Sequence, residues 1–159
     1  MTLLVGEPQM TDSFSLVLER LVDLEREIDD RLNVYEWRPR QPDFPALWNF
    51  LNDAPLGMTS NVNFRETFTF LVQFAVRPTD GREEHRVLSE IAENLRQVVD
   101  PALHTIHPLG AKRAIRRNMR TAFYRFGSGE QQFTVLGMEA PIEIEIDRLL
   151  PANPLGGTP

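Results

Sequence analysis

The feature that most constrains the fold is a long alternation of apolar and polar side chains between residues 62 and 76. The apolar side chains of one parity are Val62, Phe64, Phe68, Phe70, Val72, Phe74 and Val76. Successive side chains of a β-strand point to opposite faces, and aromatic and β-branched residues favour strands, so we expect a strand with one buried face. A strand of this length would span roughly 50 Å. We therefore expect either a bend near Glu66 or a first half that projects as one arm of a hairpin.

Two amphipathic helices flank this strand in the sequence. They are predicted over residues 12–32 and 81–99, because apolar side chains recur there every three or four residues. The predicted capping residues are Asp12 or Ser13 and Asp80 at the starts, and Asn33 and Asp100-Pro101 at the ends. The apolar stripes indicate that both helices pack on the sheet.

The rest of the chain predicts shorter strands. A short strand is expected at residues 34–37, and residues 114–126 look extended. Gly127-Ser128-Gly129 predicts a tight turn, from which residues 131–135 return as the partner strand of a hairpin. A separate final strand is expected at residues 142–146, where isoleucine and glutamate alternate.

The apolar residues of the last two segments differ in parity. Phe133 and Val135 are odd-numbered, whereas the isoleucines of residues 142–146 are even-numbered. A shift of one residue turns every side chain of a strand to the other face. If both segments share one buried face, a bulge or bend is needed between them, and Gly137 and Pro141 are the candidate positions.

Residues 38–60 contain several prolines, which exclude long regular structure. The apolar stretch at residues 44–51 is too short to decide between a turn of helix and a strand. A connection this long is usually functional or disordered, and its aromatic content argues against disorder. The aromatic residues either cap the core or form an exposed set of anchors for a partner. They are Trp37, Phe44, Trp48 and Phe50.

Together these elements predict an α+β fold: a mixed, mainly antiparallel sheet with two helices packed on one face, plus a long loop or projecting hairpin. The 159 residues fit one domain, predicted over residues 1–150, with a flexible tail at 151–159. No apolar stretch approaches the ~20 residues of a membrane span, and the first residues lack the pattern of a secretory signal. We therefore expect a protein of the cytoplasm or of a particle assembled there.

The net charge of −6 hides an uneven distribution, because residues 111–129 carry six basic residues and no acidic one. The acidic balance argues against a general nucleic-acid binder. Three explanations of the basic segment stay open: it contacts phosphates or an acidic partner, it is balanced by this chain's own acidic helix, or it meets a neighbouring copy. The separation of acidic and basic segments favours head-to-tail pairing of copies. The subunit-interface candidates are Lys112, Arg113, Arg116, Arg117 and Arg120.

Motifs for catalysis and metal binding are weak in this sequence. There is no cysteine, which excludes thiol catalysis and Cys-based metal centres. His104 and His107 have a His-x-x-His spacing, but Pro108 follows at once, and we interpret both as loop histidines. The glycines around Ser128 do not form a nucleophile elbow, and no phosphate loop is present. We therefore expect a protein that is not an enzyme, with no catalytic residue, cofactor or metal site.

The order of the elements resembles that of the tail terminator (tail-completion) proteins of long-tailed bacteriophages. The resemblance is carried by Asn33 to Pro45 (NVYEWRPRQPDFP), Phe68 to Val76, the helix at residues 82–99, and Met119 to Ile146. It implies a structural virion protein, a hexameric ring that stops growth of the tail tube and joins the tail to the head connector at the neck. The implied partners are further copies of the chain, the tail tube protein and the head–tail connector protein. DNA would pass through the lumen without specific binding, and no membrane is involved.

Under this resemblance, particular residues acquire roles. The ring would close through Arg113, Arg116 and Arg117 against acidic neighbours, and acidic side chains at the lumen would repel DNA. The candidates for contact with the tube or connector are Trp37, Phe44, Trp48, Phe50 and Phe64. An exchange of Trp48 for alanine is then expected to spare folding and to block joining of tail and head. The alternatives are another phage neck or head-completion protein, a non-viral protein-binding module or, least favoured, an enzyme with a carboxylate-based site.

Overall fold

The computed structural model describes residues 13–53, 56–58, 63–107 and 110–149 and shows an α+β fold. The helices are α1 (Ser13–Glu25) and α2 (Gly81–Val99), with short 3-10 helices at Asp100–Thr105 and Gly129–Gln131. The strands are β1 (Asn33–Trp37), β2 (Ala46–Asp53), β3 (Leu56–Met58), β4 (Asn63–Ala75), β5 (Arg113–Arg116), β6 (Arg120–Phe126) and β7 (Phe133–Leu149). The predicted cap Asp12, the start of the predicted strand at Val62 and the tail at 151–159 lie outside the described residues.

The described strands form one mixed sheet in the order β1-β2-β4-β7-β5. β3 lies beside the start of β4, and β6 lies beside the first half of β7. Only the pairing of β1 with β2 is parallel among these strands. The two central strands, β4 and β7, pair in one unbroken register from Asn63 opposite Leu149 to Ala75 opposite Gly137. The predicted mixed, mainly antiparallel sheet is confirmed.

Both helices pack on one face of this sheet, as predicted. The alternating apolar residues of β4 lie on that face, and the isoleucines at positions 142, 144 and 146 of β7 lie beside them, fully buried. α1 contributes Val17 and Leu21, and α2 contributes Ile91 and Leu95. Burial of this apolar surface is the main stabilising contribution to the fold.

The opposite face of the sheet carries a second, smaller core, which corrects the expected bulge between residues 133 and 146. β7 runs through this region in unbroken register with both β4 and β6. Phe133 and Val135 have odd parity because they belong to the second face, where Val135 packs with Trp48, Tyr124 and Phe126. The expectation of a bulge was wrong because it assumed that only one face of the sheet is buried.

β7 is one strand, whereas the sequence predicted two. The carbonyl oxygen of Pro141 accepts a hydrogen bond from the backbone N–H of Arg117, at 2.8 Å. The N–H and C=O of one strand residue point to the same side, so the proline nitrogen faces the gap between β5 and β6. Proline has no N–H to return this bond to Arg117, but β5 ends just before Arg117, so the missing bond falls where this ladder stops.

The first helix is shorter than predicted. α1 ends at Glu25, and the backbone contracts to bonds between residues three apart, such as Ile28 N–H to the Glu25 oxygen at 3.1 Å. Asp29 stabilises the turn by accepting a hydrogen bond from the N–H of Arg31, at 2.9 Å. Ile28 stays buried in this turn, so the apolar period outlasts the helix. Asn33 does not end the helix in a left-handed conformation but begins β1.

Other predicted elements need smaller adjustments. α2 spans the predicted residues, and the Asp80 carboxylate caps it by accepting from the N–H of Glu83 at 3.0 Å. A 3-10 helix continues past Val99, so Asp100-Pro101 ends the α-helix without ending the helical turn. The apolar stretch at residues 44–51 contributes a strand, β2. β3 and the start of β4 pair as the arms of a hairpin, and the connection between β6 and β7 spans residues 127–132, wider than a tight turn.

Candidate interaction surface

The sheet face opposite α1 and α2, named here the open face, is charged along β7 from Glu139 onwards. The odd-numbered residues of this strand point to the open face because the even-numbered isoleucines point to the helices. They include Glu139, Glu143, Glu145 and Asp147. β7 therefore brings a row of carboxylates to the open face.

Basic side chains from neighbouring strands and loops neutralise this row. Arg120 contacts Glu139 at 2.6 Å, and Arg117 contacts Glu143 at 2.9 Å. Asp147 lies 3.1 Å from Arg65 and 3.2 Å from Lys112. Hydrogen bonds from arginine lower the pKa of Glu143 and the pKa of Asp147 below the ordinary values. The open face is thus covered by a ladder of ion pairs within one chain.

The predicted subunit-interface cations are distributed over both faces of the sheet. Lys112, Arg117 and Arg120 belong to the ladder of the open face. Arg116 lies on the helix face and forms a bidentate pair with Asp100, with N–O distances of 2.7 and 2.8 Å. Arg113 lies opposite Glu145 in the register. The acids that balance the basic segment come from β7 and the first 3-10 helix, not from the acidic helix considered above. A role for these cations between subunits stays a prediction.

The predicted partner-contact aromatic residues do not form one exposed set. Trp48 has no exposed surface, so the structure contradicts its assignment as an exposed anchor. Its indole N–H donates to Gln73 Oε1 at 2.7 Å, which satisfies its polar atom inside the second core. Trp37 and Phe50 are 43% and 51% exposed, and Phe44 is half-buried. The backbone of Phe64 lies in β4, and its side chain is outside the described residues.

An aromatic cluster closes one end of the open face. The ring of Trp48 meets those of Tyr124 and Phe126 edge to face, with centroids 5.1 and 5.5 Å apart. Phe44 and Phe133 both contact Phe126, at 5.6 and 6.1 Å. Burial and the nearby charge of a carboxylate raise the pKa of the Tyr124 hydroxyl, which donates to a backbone oxygen at 3.0 Å. Tyr124 therefore acts here as a neutral hydrogen-bond donor.

An open pocket of about 470 Å³ lies beside this cluster. It is lined by Arg38, Pro39, Arg40, Gln41, Arg125, Phe126, Gly127 and Ser128. Arg38 stacks its guanidinium on Phe126, 4.5 Å from the ring centroid, and donates to the backbone oxygen of Arg125. Sequence reasoning missed this pocket because its two halves are far apart in the chain. The available signal was the Arg-Pro-Arg run at residues 38–40.

A buried carboxyl group lies on the other face, between α1 and β2. Glu25 Oε1 accepts a hydrogen bond from Asn49 Nδ2 at 2.8 Å, and both residues are buried. Their remaining oxygens, Glu25 Oε2 and Asn49 Oδ1, have no hydrogen-bond partner among the described residues. Burial raises the pKa of Glu25 to about 8. A proton on Oε2 removes the buried charge and makes this oxygen a hydrogen-bond donor, so burial favours the neutral form of Glu25.

The described surface carries ion pairs, exposed aromatic rings and an arginine-lined pocket. Within the described ranges, no three His, Asp or Glu side chains are grouped as metal ligands. None of the helices in those ranges has the length and apolarity needed to cross a bilayer. Neither a protein-family model nor a curated protein matches this sequence.

Proposed function

We propose that this chain is a structural virion protein, a tail terminator that caps the completed tail tube of a long-tailed phage and joins it to the head connector. The observation that carries the proposal is that helices cover only one face of the described sheet. Both helices cover one face, while the open face presents charged and aromatic side chains. A surface of this kind suits contact with proteins, since aromatic residues and arginine are enriched at interfaces.

The element order supports the same proposal. The chain passes through α1, β1, a proline-rich connection, β4, α2 and the β6–β7 hairpin, in that order. This is the order on which the resemblance to tail terminators rests. The element order is unchanged by the finding that the last two predicted strands are one strand, β7.

Exposed apolar side chains support assembly with other proteins. Trp37, Phe50, Phe123 and Phe133 are between 43% and 70% exposed, and they lie on four different strands of the sheet. Large aromatic residues cost free energy when they remain in water, and their burial contributes strongly to association. We infer that further copies of the chain, the tail tube protein and the connector protein cover these surfaces.

In this proposal the chain forms a hexameric ring at the junction of tail and neck and is assembled in the host cytoplasm. The ring takes no cofactor, involves no membrane and lets DNA pass without specific binding. Acidic side chains on the lumen surface would repel the DNA backbone, in keeping with the net charge of −6. A ring channel lined only by basic side chains would contradict this electrostatic role.

Growth of tail tubes in vitro tests the proposed function. The tail tube protein encoded in the same genome is polymerised with and without the purified chain, and tube lengths are measured by electron microscopy. We expect the chain to stop elongation and to be retained at tube ends. Unaltered tube lengths with no retained chain would refute the proposal. Retention on capsid connectors alone would identify a head-completion protein instead.

A variant pair links this result to the open face. Phe50 is half exposed on β2, and its exchange for serine should leave the fold intact and weaken capping of tubes. Arg82 is exposed near the start of α2, on the opposite side of the sheet, and Arg82→Gln serves as the control that should cap normally. Equal capping by both variants would exclude Phe50 from the contact.

A further inference from the structure

Several arginines of the described residues form no ion pair, and three of them gather at one pocket. Many of the described arginines lie within 4 Å of a carboxylate, as the ladder of the open face illustrates. Others without an ion pair among the described residues lie outside the pocket: Arg20, Arg77, Arg82 and Arg113. Arg38, Arg40 and Arg125 form no ion pair with any described residue, and all three line the open pocket beside Phe126. No acidic residue lines that pocket. In a chain of net charge −6, this is a local excess of positive charge.

The pocket has the charge and the fixed donors that suit an anion. Stacking on Phe126 and the hydrogen bond to the Arg125 backbone oxygen fix the guanidinium of Arg38 in place. Like charges gathered in one pocket repel each other, and an entering anion relieves that repulsion. The planar fork of arginine matches the two oxygens of a carboxylate. A volume of about 470 Å³ lies in the range of pockets that enclose a ligand group.

The carboxylates that match this pocket lie on the other side of the same molecule. Glu19 on α1, and Glu27 and Asp30 in the turn that follows it, are exposed and form no ion pair with a described residue. They outnumber the one exposed cation of α1 and this turn that has no ion pair among the described residues, Arg20. Leu16, 39% exposed on the same helix, adds apolar surface beside them. α1 packs on the helix face of the sheet, whereas Arg38 stacks on a ring of the open face. One chain therefore cannot join the two surfaces.

We propose that the arginine pocket receives the acidic surface of α1 and its following turn from a second copy of this chain. The contact joins two different surfaces, so it is head-to-tail, and successive copies can close a ring. The inference rests on the proposed ring-forming function and assigns its subunit contact. It moves the basic half of the interface from residues 112–120, which are largely paired within the chain, to Arg38, Arg40 and Arg125.

Charge reversal at one arginine tests the pocket. Arg40→Glu places a carboxylate opposite the incoming acids, and self-association measured by sedimentation should weaken by at least about tenfold. Arg82→Glu is the matched control, because Arg82 is also exposed and without an ion pair among the described residues, but lies outside the pocket. It should assemble as the wild type does. Circular dichroism and urea unfolding confirm that both variants are folded.

A mixing experiment tests the occupant. Glu19→Arg with Glu27→Arg reverses the charge of the α1 surface, and this variant should also fail to assemble alone. Mixed with Arg40→Glu, it should form heterodimers, since its native pocket can still receive the native α1 surface of the other variant.

The outcomes separate this inference from the proposed function. Wild-type assemblies that persist in Arg40→Glu would overturn the pocket contact and leave the ring proposal standing. Loss of assembly in Arg40→Glu but not in the α1 variant, or a mixture without heterodimers, would overturn α1 as the occupant. A wild-type chain that stays monomeric alone and on tail tubes would refute both proposals.

Discussion

The buried pair of Glu25 and Asn49 makes the stability of this protein depend on pH in an unusual direction. Glu25→Gln replaces the carboxyl by an amide of the same shape. The new amide oxygen can accept from Asn49 Nδ2, and the new NH2 can donate to Asn49 Oδ1, which has no partner among the described residues. The variant therefore reproduces the neutral pair and cannot ionise.

The size of this pH dependence of the free energy of unfolding follows from proton linkage. Glu25 has an ordinary pKa of 4.5 in the unfolded chain and a pKa of about 8 in the folded chain. Between these values the folded state retains a proton that the unfolded state has released, so stability falls as pH rises. The slope is about 1.4 kcal/mol per pH unit. From about pH 5 to about pH 8 the wild type should lose on the order of 4 kcal/mol relative to Glu25→Gln.

Urea unfolding at a series of pH values measures this difference, with the fluorescence of the buried Trp48 as the signal. The free energies of unfolding of wild type and Glu25→Gln should be similar near pH 5 and diverge steadily towards pH 8. Other titrating groups cancel in the comparison because both proteins share them. Asp23→Asn, on the exposed side of the same helix, should follow the wild type. Parallel curves for wild type and Glu25→Gln would refute the reasoning.

Two pairs of exchanges compare a buried position with an exposed one. Trp48→Ala should lower the free energy of unfolding by about 3–5 kcal/mol, because the indole is fully buried. Phe50→Ala on the same strand should lower it far less, because Phe50 is half exposed. Equal losses in urea unfolding would contradict this reasoning. Gly137→Ala should cost several kcal/mol, since its Cβ would overlap the backbone oxygen of Phe74. Gly81→Ala should be neutral or stabilising by up to about 1 kcal/mol, because its Cβ meets nothing within 4 Å. Thermal unfolding midpoints distinguish Gly137→Ala from Gly81→Ala.

Local patterns predicted the elements whose signals are complete within a few residues. The alternation of β4 depends only on the period of a strand. The start of α2 follows from the hydrogen bond between the Asp80 carboxylate and the N–H of Glu83. The turn after α1 escaped prediction because Ile28 and Leu32 keep the helical period while the backbone contracts around them. Periodicity reports which side chains are buried, and the hydrogen bonds decide where a helix ends.

Predictions were wrong for features of β7 that depend on residues far away in the sequence. The odd parity of Val135 is explained by Trp48 and Tyr124, which pack with it on the open face. Pro141 is tolerated because β5 ends opposite it, and nothing near residue 141 in the sequence indicates where β5 ends. Both errors arose from treating one strand without its neighbours in the sheet.

The charged residues show the same limit. Residues 111–129 look uncompensated in the sequence, yet Arg117 and Arg120 lie beside Glu143 and Glu139 because β7 returns next to them. Arg38 and Arg125, separated by most of the chain, meet in one pocket. Counts of charge along the sequence detect an imbalance but cannot locate it in space. The register of the sheet decides which cations stay without a partner.

Imaging of virions tests whether this chain is a ring-forming tail terminator, as we propose. Cryo-electron microscopy of intact particles, with the chain marked by a specific antibody fragment, gives its position and symmetry. We expect a single hexameric ring between the tail tube and the head connector, and particles without the gene should have free heads and unjoined tails. Virions that lack the chain, or that carry it only inside the head or at the distal tail tip, would contradict the claim.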